Sequence, residues 1–333
     1  MQEKLTESIQ ANEMTIMACL RWGRPTFTYS IKAFFFMLGI LSSVNFMMVI
    51  ISNTYLTPLS NSRSMNFYLQ FHPPPRHCGG EHSVFLLMAV PSRAGNFRER
   101  MAIRNSWGSV VKQDTSLRLI FFVGKEVDEL DQNIKETFAM EKEKYMDIVE
   151  LNIKEKYKYL VIKITALLQW VYVHCTNAEY ILKVDDDVFL NSYLLINYLK
   201  KINPVNSIIG CKITNAPVVR DKLSKYFISK EEYKPDYFPH YFGGPAYVIS
   251  GDIFGKLYLA TSEVPSIFIE DVYITGMCRK YINAHAVGHP GFSCITRIKE
   301  PCGGHFRNLI TGHPYSAGEI ERMWMQLNDN ITC

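Results

Sequence analysis

Three consecutive carboxylates, Asp185, Asp186 and Asp187, interrupt the stretch YILKVDDDVFLNS directly after a mostly apolar run. Three adjacent negative charges repel one another unless something cationic sits among them. A turn or a helix N-cap needs only one Asp. The D-x-D-x-D-G spacing of an EF-hand loop is absent. Hard oxygen ligands in this arrangement suit Mg²⁺ or Mn²⁺, with the remaining positions filled by water and phosphate oxygens. That chemistry brings a nucleotide diphosphate to the same place. A second acidic pair, Glu270 and Asp271 in IEDVY, reads on its own as the acidic start of a helix, which the helix dipole favours. Such a position is compatible with a catalytic carboxylate.

The elements that must position these groups follow from periodicity. SVFLLMAV (83–90) predicts a buried strand, NFRERMAIRNSW a helix, LRLIFFV a strand, and residues 126–144 a charged helix. YKYLVIKITALLQWVYVHC (157–175) carries apolar residues at helical spacing, and EYILKV is the next strand. Strands alternating with helices predict an α/β fold with a doubly wound, mostly parallel sheet. Such sheets bind ligands outside the C-terminal ends of their strands, which is where the three aspartates fall. The second half is more irregular, with turns expected at YFGGPAY and HPGF, and a last helix opened by a capping box of Ser316 and Glu319.

The chain has 333 residues, is 47% hydrophobic and carries a net charge of +4. No dense Lys/Arg block marks a nucleic-acid surface, so no nucleic-acid partner is expected. Residues 33–51 are nineteen uncharged residues, enough at helical rise to span roughly 28 Å of bilayer core. Arg21, Arg24 and Lys32 precede them and few charges follow before Arg63. By the positive-inside rule the N-terminus is cytoplasmic and the bulk of the chain lies across the membrane. A signal peptide would have a shorter leading region and a small-x-small cleavage site. The expected layout is a cytoplasmic tail at 1–32, a transmembrane signal anchor at 33–52, a stem at 53–78 ending in HPPPRH, and a folded domain at 79–333. Of eight cysteines, seven lie beyond the anchor, with no C-x-x-C spacing for zinc. An oxidising compartment would pair them and leave at least one unpaired within the chain. NIT at Asn330 is a glycosylation sequon.

At KVDDDVF the sequence resembles the β-1,3-galactosyltransferase family, inverting GT-A-fold enzymes that also include β-1,3-N-acetylglucosaminyl- and N-acetylgalactosaminyltransferases. RERMAIRNSWG (98–108) is similar to the family's R-x-x-I-R-x-(S/T)-W block. SKYFISKEEYKPDYFPHYFGGPAYVISGD (224–252) looks like its acceptor-side loop and glycine turn, IEDVYITGMC (269–278) like its E-D-V segment, and RNLITGHPYSAGEIERMWMQL (307–327) like its C-terminal block. Departures occur at Phe242, Pro245 and Ala246 in the glycine turn, at Ile274 and Thr275 after E-D-V-Y, and at KYKYL, which lacks N-L-T. They bear on the sugar and the acceptor more than on the reaction type.

The resemblance implies a metal-dependent, UDP-sugar-using β-1,3-glycosyltransferase, single-pass type II in the Golgi membrane with its catalytic domain lumenal. Galactose from UDP-galactose is the leading donor, and N-acetylgalactosamine or N-acetylglucosamine the alternative. The acceptor is a glycan on protein or lipid, and the oligomeric state is not readable from the sequence. Asp187 first, then Asp185, are the metal candidates, and His313 is a third by its place in the C-terminal block. Read alone, His313 in TGHPYS is a turn residue, and His285, His289 and His305 keep that plain reading. Asp186 faces the other way on an extended chain and contacts the nucleotide side or holds the loop. Asp271 takes the position of the family's general base, with Glu270 as the fallback. Arg104 and Trp107 look like donor-site residues, and Gly243 and Gly244 allow close approach to a sugar. A membrane-anchored glycan-binding homologue without turnover is the reading from another class; it has no reason to keep both the aspartates and Asp271.

Overall fold

The computed structural model describes Cys78 and residues 83–125, 131–294 and 297–333. The expected anchor, tail and most of the stem lie outside these residues, and among the described residues no helix is long and apolar enough to cross a membrane.

The runs predicted as strands are strands because both of their faces are covered. β1 (Val84–Ser92) is buried along nearly its whole length, with Leu87 and Ala89 in one apolar cluster and Leu86, Met88 and Val90 in the other. This alternation is the strand period of two acting in a sheet covered on both sides. β2 (Leu117–Gly124) and β4 (Ala178–Val184) pair in parallel with β1, and β3 (Ile148–Leu151) with β2. β6 (Ser207–Ile213) pairs antiparallel with β7 (Tyr241–Ser250), which in turn pairs antiparallel with β4. β8 (His285–Gly288) closes the edge in parallel with β6. The described sheet order is β3-β2-β1-β4-β7-β6-β8, so the expected α/β architecture is present with β7 as the reversed member.

Helices cover each face. α1 (Phe97–Asn105), α4 (Ser192–Ile202) and the last helix, α6 (Ala317–Asn328), supply Ile103, Leu195, Leu199, Ile320 and Met323 to one core. α3 (Leu160–His174) and α5 (Gly251–Glu263) supply Ile164, Leu167, Trp170, Ile253 and Leu257 to the other. The charged segment forms α2 (Gln132–Tyr145), capped by Asp131. The capping box at α6 is present, with the Ser316 backbone N–H and hydroxyl both donating to Glu319 Oε2 at 2.9 Å.

One expectation is corrected. YFGGPAY is not a turn but the first part of strand β7. Pro245 has no N–H to give, and it sits just before the last β4 pair, Val184↔Ala246, opposite the register shift between Gly210 and Lys212 in β6. A proline is tolerated in a sheet where the ladder is interrupted in this way.

Among the described residues six cysteines pair, as Cys78–Cys175, Cys211–Cys294 and Cys302–Cys333, leaving Cys278 buried and without a disulfide. The first two bridges close loops of 97 and 83 residues. Long loops lose the most denatured-state entropy on cross-linking. A Cys78→Ser/Cys175→Ser double variant is expected to lose about 2–4 kcal/mol, read as a lowered midpoint in chemical denaturation against the parent.

Candidate active site

β4 ends at Val184 and delivers the three aspartates to the C-terminal edge of the sheet beside Ser92, the last residue of β1. The Asp185 N–H donates to the Pro245 carbonyl at 2.9 Å, and Val188 N–H to the Asp185 carbonyl at 3.3 Å, so the segment turns at once. All three carboxylates line one cavity, and because the segment turns here the extended-chain alternation expected for Asp186 does not apply. Asp186 Oδ2 accepts from Ser92 Oγ at 2.7 Å and Asn96 Nδ2 at 2.9 Å, tying the turn to the β1–α1 connection. Burial, with the charges of Asp185 and Asp186, pushes Asp187 up to about 6.

Immediately after the turn, β5 (Phe189–Leu190) pairs antiparallel with β9 (Thr311–Gly312), and Tyr315 N–H donates to the Asp187 carbonyl at 2.9 Å. This ladder carries His313 alongside the aspartates. Its Nδ1 is buried without a partner, and burial lowers the imidazole pKa while Asp185 acts against that shift. A neutral ring with an unsatisfied nitrogen beside carboxylates is a donor set that suits Mn²⁺. Among the described residues no three His, Cys, Asp or Glu side chains close around one point. A cation held here would take fewer than three of these side chains directly, with water and phosphate oxygens making up its shell.

A cavity of about 350 Å³ opens against the aspartates, and Ser92, Arg93, Asn96, Lys154, Lys156, Tyr157 and Lys163 share its wall. Lys163 is held by Glu155 Oε1 at 2.5 Å and the Ser92 carbonyl. These basic residues next to three carboxylates make room for a cation and a diphosphate together. The sequence reading missed them. Arg93 follows β1 directly and Lys154 and Lys156 follow β3, so the rule that ligands bind beyond strand C-termini was the signal available.

Behind the turn lies Lys183, fully buried on β4. Its Nζ is 2.7 Å from Asp185 Oδ1 and 4.0 Å from Glu270 Oε2, and it donates to the Gly244 carbonyl. Burial works to lower its pKa, but Asp185 and Glu270 hold it above the ordinary lysine value. Glu270 is 4% exposed and accepts from Tyr247 Oη at 2.6 Å. Burial pushes it up to about 7, with Lys183 opposing. Glu270 is thus a distant countercharge to Lys183, nearly sealed from the cleft, which sets it behind Asp271 as a candidate base.

Asp271 differs. It is half-buried at the start of the wide helical segment Val272–Cys278, where its Oδ1 accepts from Val272 N–H at 2.8 Å. Burial raises its pKa against that hydrogen bond. Gly244 lies against it, where a Cβ would sit 3.3 Å from Asp271 Oδ2. Gly243 instead faces Cys294 and the Cys211–Cys294 bridge. A Gly244→Ala variant would press on the Asp271 carboxylate, and a displacement of that kind is expected to lower kcat about tenfold or more. Steady-state kinetics with an unchanged melting temperature would check it.

Arg104 and Trp107 are not part of this cleft, and the donor-site expectation is corrected for both. Arg104 forks onto Asp147 at 2.7 and 2.8 Å and reaches Glu141 at 2.6 Å, so its charge is already met by two carboxylates. It lines a separate cavity of about 450 Å³ with Tyr145 and Arg118. Trp107 is wholly buried and donates from Nε1 to the Val188 carbonyl at 3.0 Å, supporting the aspartate turn from the core. His289 and His305 accept backbone N–H bonds in local turns, and His285 lies on edge strand β8.

A family model described as Galactosyltransferase matches residues 98–289. The mouse N-acetyllactosaminide beta-1,3-N-acetylglucosaminyltransferase 2 is 34% identical over 270 residues, 78% of this chain and 66% of the relative. The human lactosylceramide 1,3-N-acetyl-beta-D-glucosaminyltransferase is 29% identical over 255 residues, 74% of this chain and 66% of the relative. The matches thus span just under two thirds of these relatives' own lengths. Among solved structures, the galactosyltransferase LgtC in complex with donor and acceptor sugar analogs aligns at 11% identity and a TM-score of 0.37, over 72% of this chain and 95% of that one.

Proposed function

This chain belongs to the Galactosyltransferase family of β-1,3-glycosyltransferases, and from that premise we propose that it is an inverting, metal-dependent β-1,3-N-acetylglucosaminyltransferase. Its donor is UDP-N-acetylglucosamine and its acceptor the 3-hydroxyl of a terminal galactose on a protein- or lipid-linked glycan. Support for the sugar comes from the relatives, whose names carry N-acetylglucosaminyl transfer. UDP-galactose, the leading donor expected from sequence, has no such support and becomes the alternative. The anchor at 33–52 and a Golgi lumenal site remain part of the proposal, and three disulfides suit an oxidising lumen.

The observation that carries the reaction type is Asp271, a half-buried carboxylate held beside Gly244, with Lys183 linking that region to the aspartate turn. In the reaction a bond forms between the acceptor oxygen and the anomeric carbon as the bond from that carbon to the UDP oxygen breaks. The acceptor proton passes to Asp271, and the negative charge leaves on UDP. Asp187, with Asp185 or His313 beside it, would hold the Mn²⁺, which when bound neutralises charge on the departing diphosphate. Arg93, Lys154 and Lys156 add positive charge along the nucleotide path, and Asp186 keeps the turn in place through Ser92 and Asn96.

The test uses the full-length chain purified in detergent. UDP release is measured with UDP-N-acetylglucosamine, UDP-galactose and UDP-N-acetylgalactosamine, each against acceptors ending in galactose, N-acetylglucosamine or N-acetylgalactosamine, with Mn²⁺ or EDTA. The expected result is release with UDP-N-acetylglucosamine and galactose-terminated acceptors, lost in EDTA. Release with UDP-galactose alone would restore the galactose reading. Bound UDP and bound glycan without any release would favour the non-catalytic glycan-binding homologue.

A further inference from the structure

The segment that follows Asp271 is wound in an uncommon way. Val272–Cys278 is π-helical, a wider winding than the α-helix. Turns of this kind are rare and gather at functional sites. This one contains Ile274 and Thr275, the two residues at which the sequence departs from the family's E-D-V segment. All of it but Met277 is buried, and the reaction described above uses none of its side chains.

The wide winding keeps both ends of the segment on β7. Gly276 packs so closely that a Cβ there would stand 3.1 Å from the Tyr241 Cβ and 3.3 Å from Pro239. Just beyond it, the Arg279 guanidinium donates to the His240 carbonyl at 3.3 Å and to the Thr275 carbonyl at 3.0 Å. At the other end, Asp271 stands against Gly244. Asp271 and Gly276 are five residues apart. In an α-helix such residues point about 140° away from each other. The π turn brings them to one face.

Between these contacts sits Thr275, wholly buried, with its hydroxyl engaged twice. Oγ1 accepts from the Phe242 N–H at 2.9 Å and donates to the Asp271 carbonyl at 2.5 Å. Phe242 lies on β7 two residues before Gly244. One hydroxyl thus ties the backbone of the candidate base to the strand whose glycine makes room for its carboxylate.

We propose that Thr275 is the positioning residue for Asp271. Its hydroxyl, brought against β7 by the π winding, sets where the Asp271 carboxylate stands over Gly244 and so its reach to the acceptor hydroxyl. Thr275 itself touches no substrate. The proposal rests on the transferase reading above.

The experiment compares Thr275→Val, which keeps the side chain's shape and removes the hydroxyl, with Thr275→Ser, which keeps the hydroxyl. Both are made in the full-length chain, and kcat is expressed per folded molecule by near-ultraviolet circular dichroism. Thr275→Val is expected to lower kcat about tenfold or more, as a misplaced catalytic group does, with both KM values within about twofold of the parent. Thr275→Ser restores most of kcat. An unchanged kcat per folded molecule in Thr275→Val, or a loss that lies in KM, overturns the proposal. So do valine and alanine chains that both fail to fold while the serine chain folds, since Thr275 would then serve folding alone. Amide hydrogen exchange separates these outcomes from failure of the transferase reading. The Val272 N–H is held by the Asp271 carboxylate at 2.8 Å, so its exchange reports on that carboxylate without any turnover. If the parent turns over nothing, faster Val272 exchange in Thr275→Val, restored in Thr275→Ser, keeps Thr275 as the residue that places Asp271 and removes only the reaction. Parental Val272 exchange in Thr275→Val removes the positioning role.

Discussion

Asp271→Asn is expected to lower kcat about 10²–10⁴-fold while leaving UDP affinity and the melting temperature near those of the parent, because on the proposed mechanism it removes the general base and little else. Asparagine keeps an oxygen for the Val272 N–H that Asp271 now caps at 2.8 Å. It keeps the volume beside Gly244 as well. What it loses is the ability to take the acceptor proton. The pH profile offers an independent check. A base must be ionised to work, and burial raises the Asp271 pKa. The rate therefore rises with pH through a limb lying above the ordinary aspartate value, and that limb disappears in the variant. Glu270→Gln is the control. Its carboxylate faces Tyr247 and Lys183 rather than open space. The change is expected to cost stability, about 1–3 kcal/mol for a buried group left with imperfect partners, rather than to erase the pH-dependent limb. If Asp271→Asn retained parental kcat, the base would have to be sought elsewhere on the cleft.

How much of this was legible in the sequence depends on whether a role is local or made at a distance. The strand before the aspartates and the capping box at Ser316 follow from neighbouring residues alone, and both are present. Strand alternation sets Asp186 apart from its neighbours, but the chain turns at this point and all three carboxylates line one cavity, so only the fold shows that Asp186 is the one held by Ser92 and Asn96. Arg104 could not be read locally either. Its partners Glu141 and Asp147 lie 37 and 43 residues away, and only the fold shows that they meet its charge. Trp107 reads equally well as a core or a ligand residue until the Val188 carbonyl is seen to take its N–H. YFGGPAY carries strong turn residues, yet it lies in a strand because the partner strand β6 has a register shift at the matching place. Lys183 was passed over as one polar residue in a buried run. Its three partners come from the aspartate turn, from β7 and from Glu270, before the wide helical segment, so its linking role exists only in three dimensions.

Asp187→Asn is expected to raise the Mn²⁺ concentration needed for half-maximal activity by more than about 100-fold, a larger effect than the 10–100-fold typical of a group outside the metal's own shell. The argument starts from repulsion. Asp187 is pushed up to about 6 by burial and by the charges of Asp185 and Asp186, so below that pH a proton holds the carboxylate that a cation would need. A divalent ion relieves the same repulsion and competes with that proton. The sign follows: Mn²⁺ affinity is flat above about pH 6 and weakens as pH falls below it, and asparagine removes this dependence together with the ligand. His313→Ala is expected to act in the same direction but less strongly, because it removes a neutral ligand rather than a charged one. Asp186→Asn should leave the Mn²⁺ midpoint nearly unchanged and disturb nucleotide binding instead, since its oxygen holds Ser92 and Asn96 on the cavity wall. Calorimetric titration of UDP with and without Mn²⁺ reads all three variants without reference to turnover. Mn²⁺-dependent UDP binding that survives in Asp187→Asn would mean that the cation is held elsewhere on the cleft, and that the three aspartates are gathered at the end of β4 for the turn and for Lys183 alone.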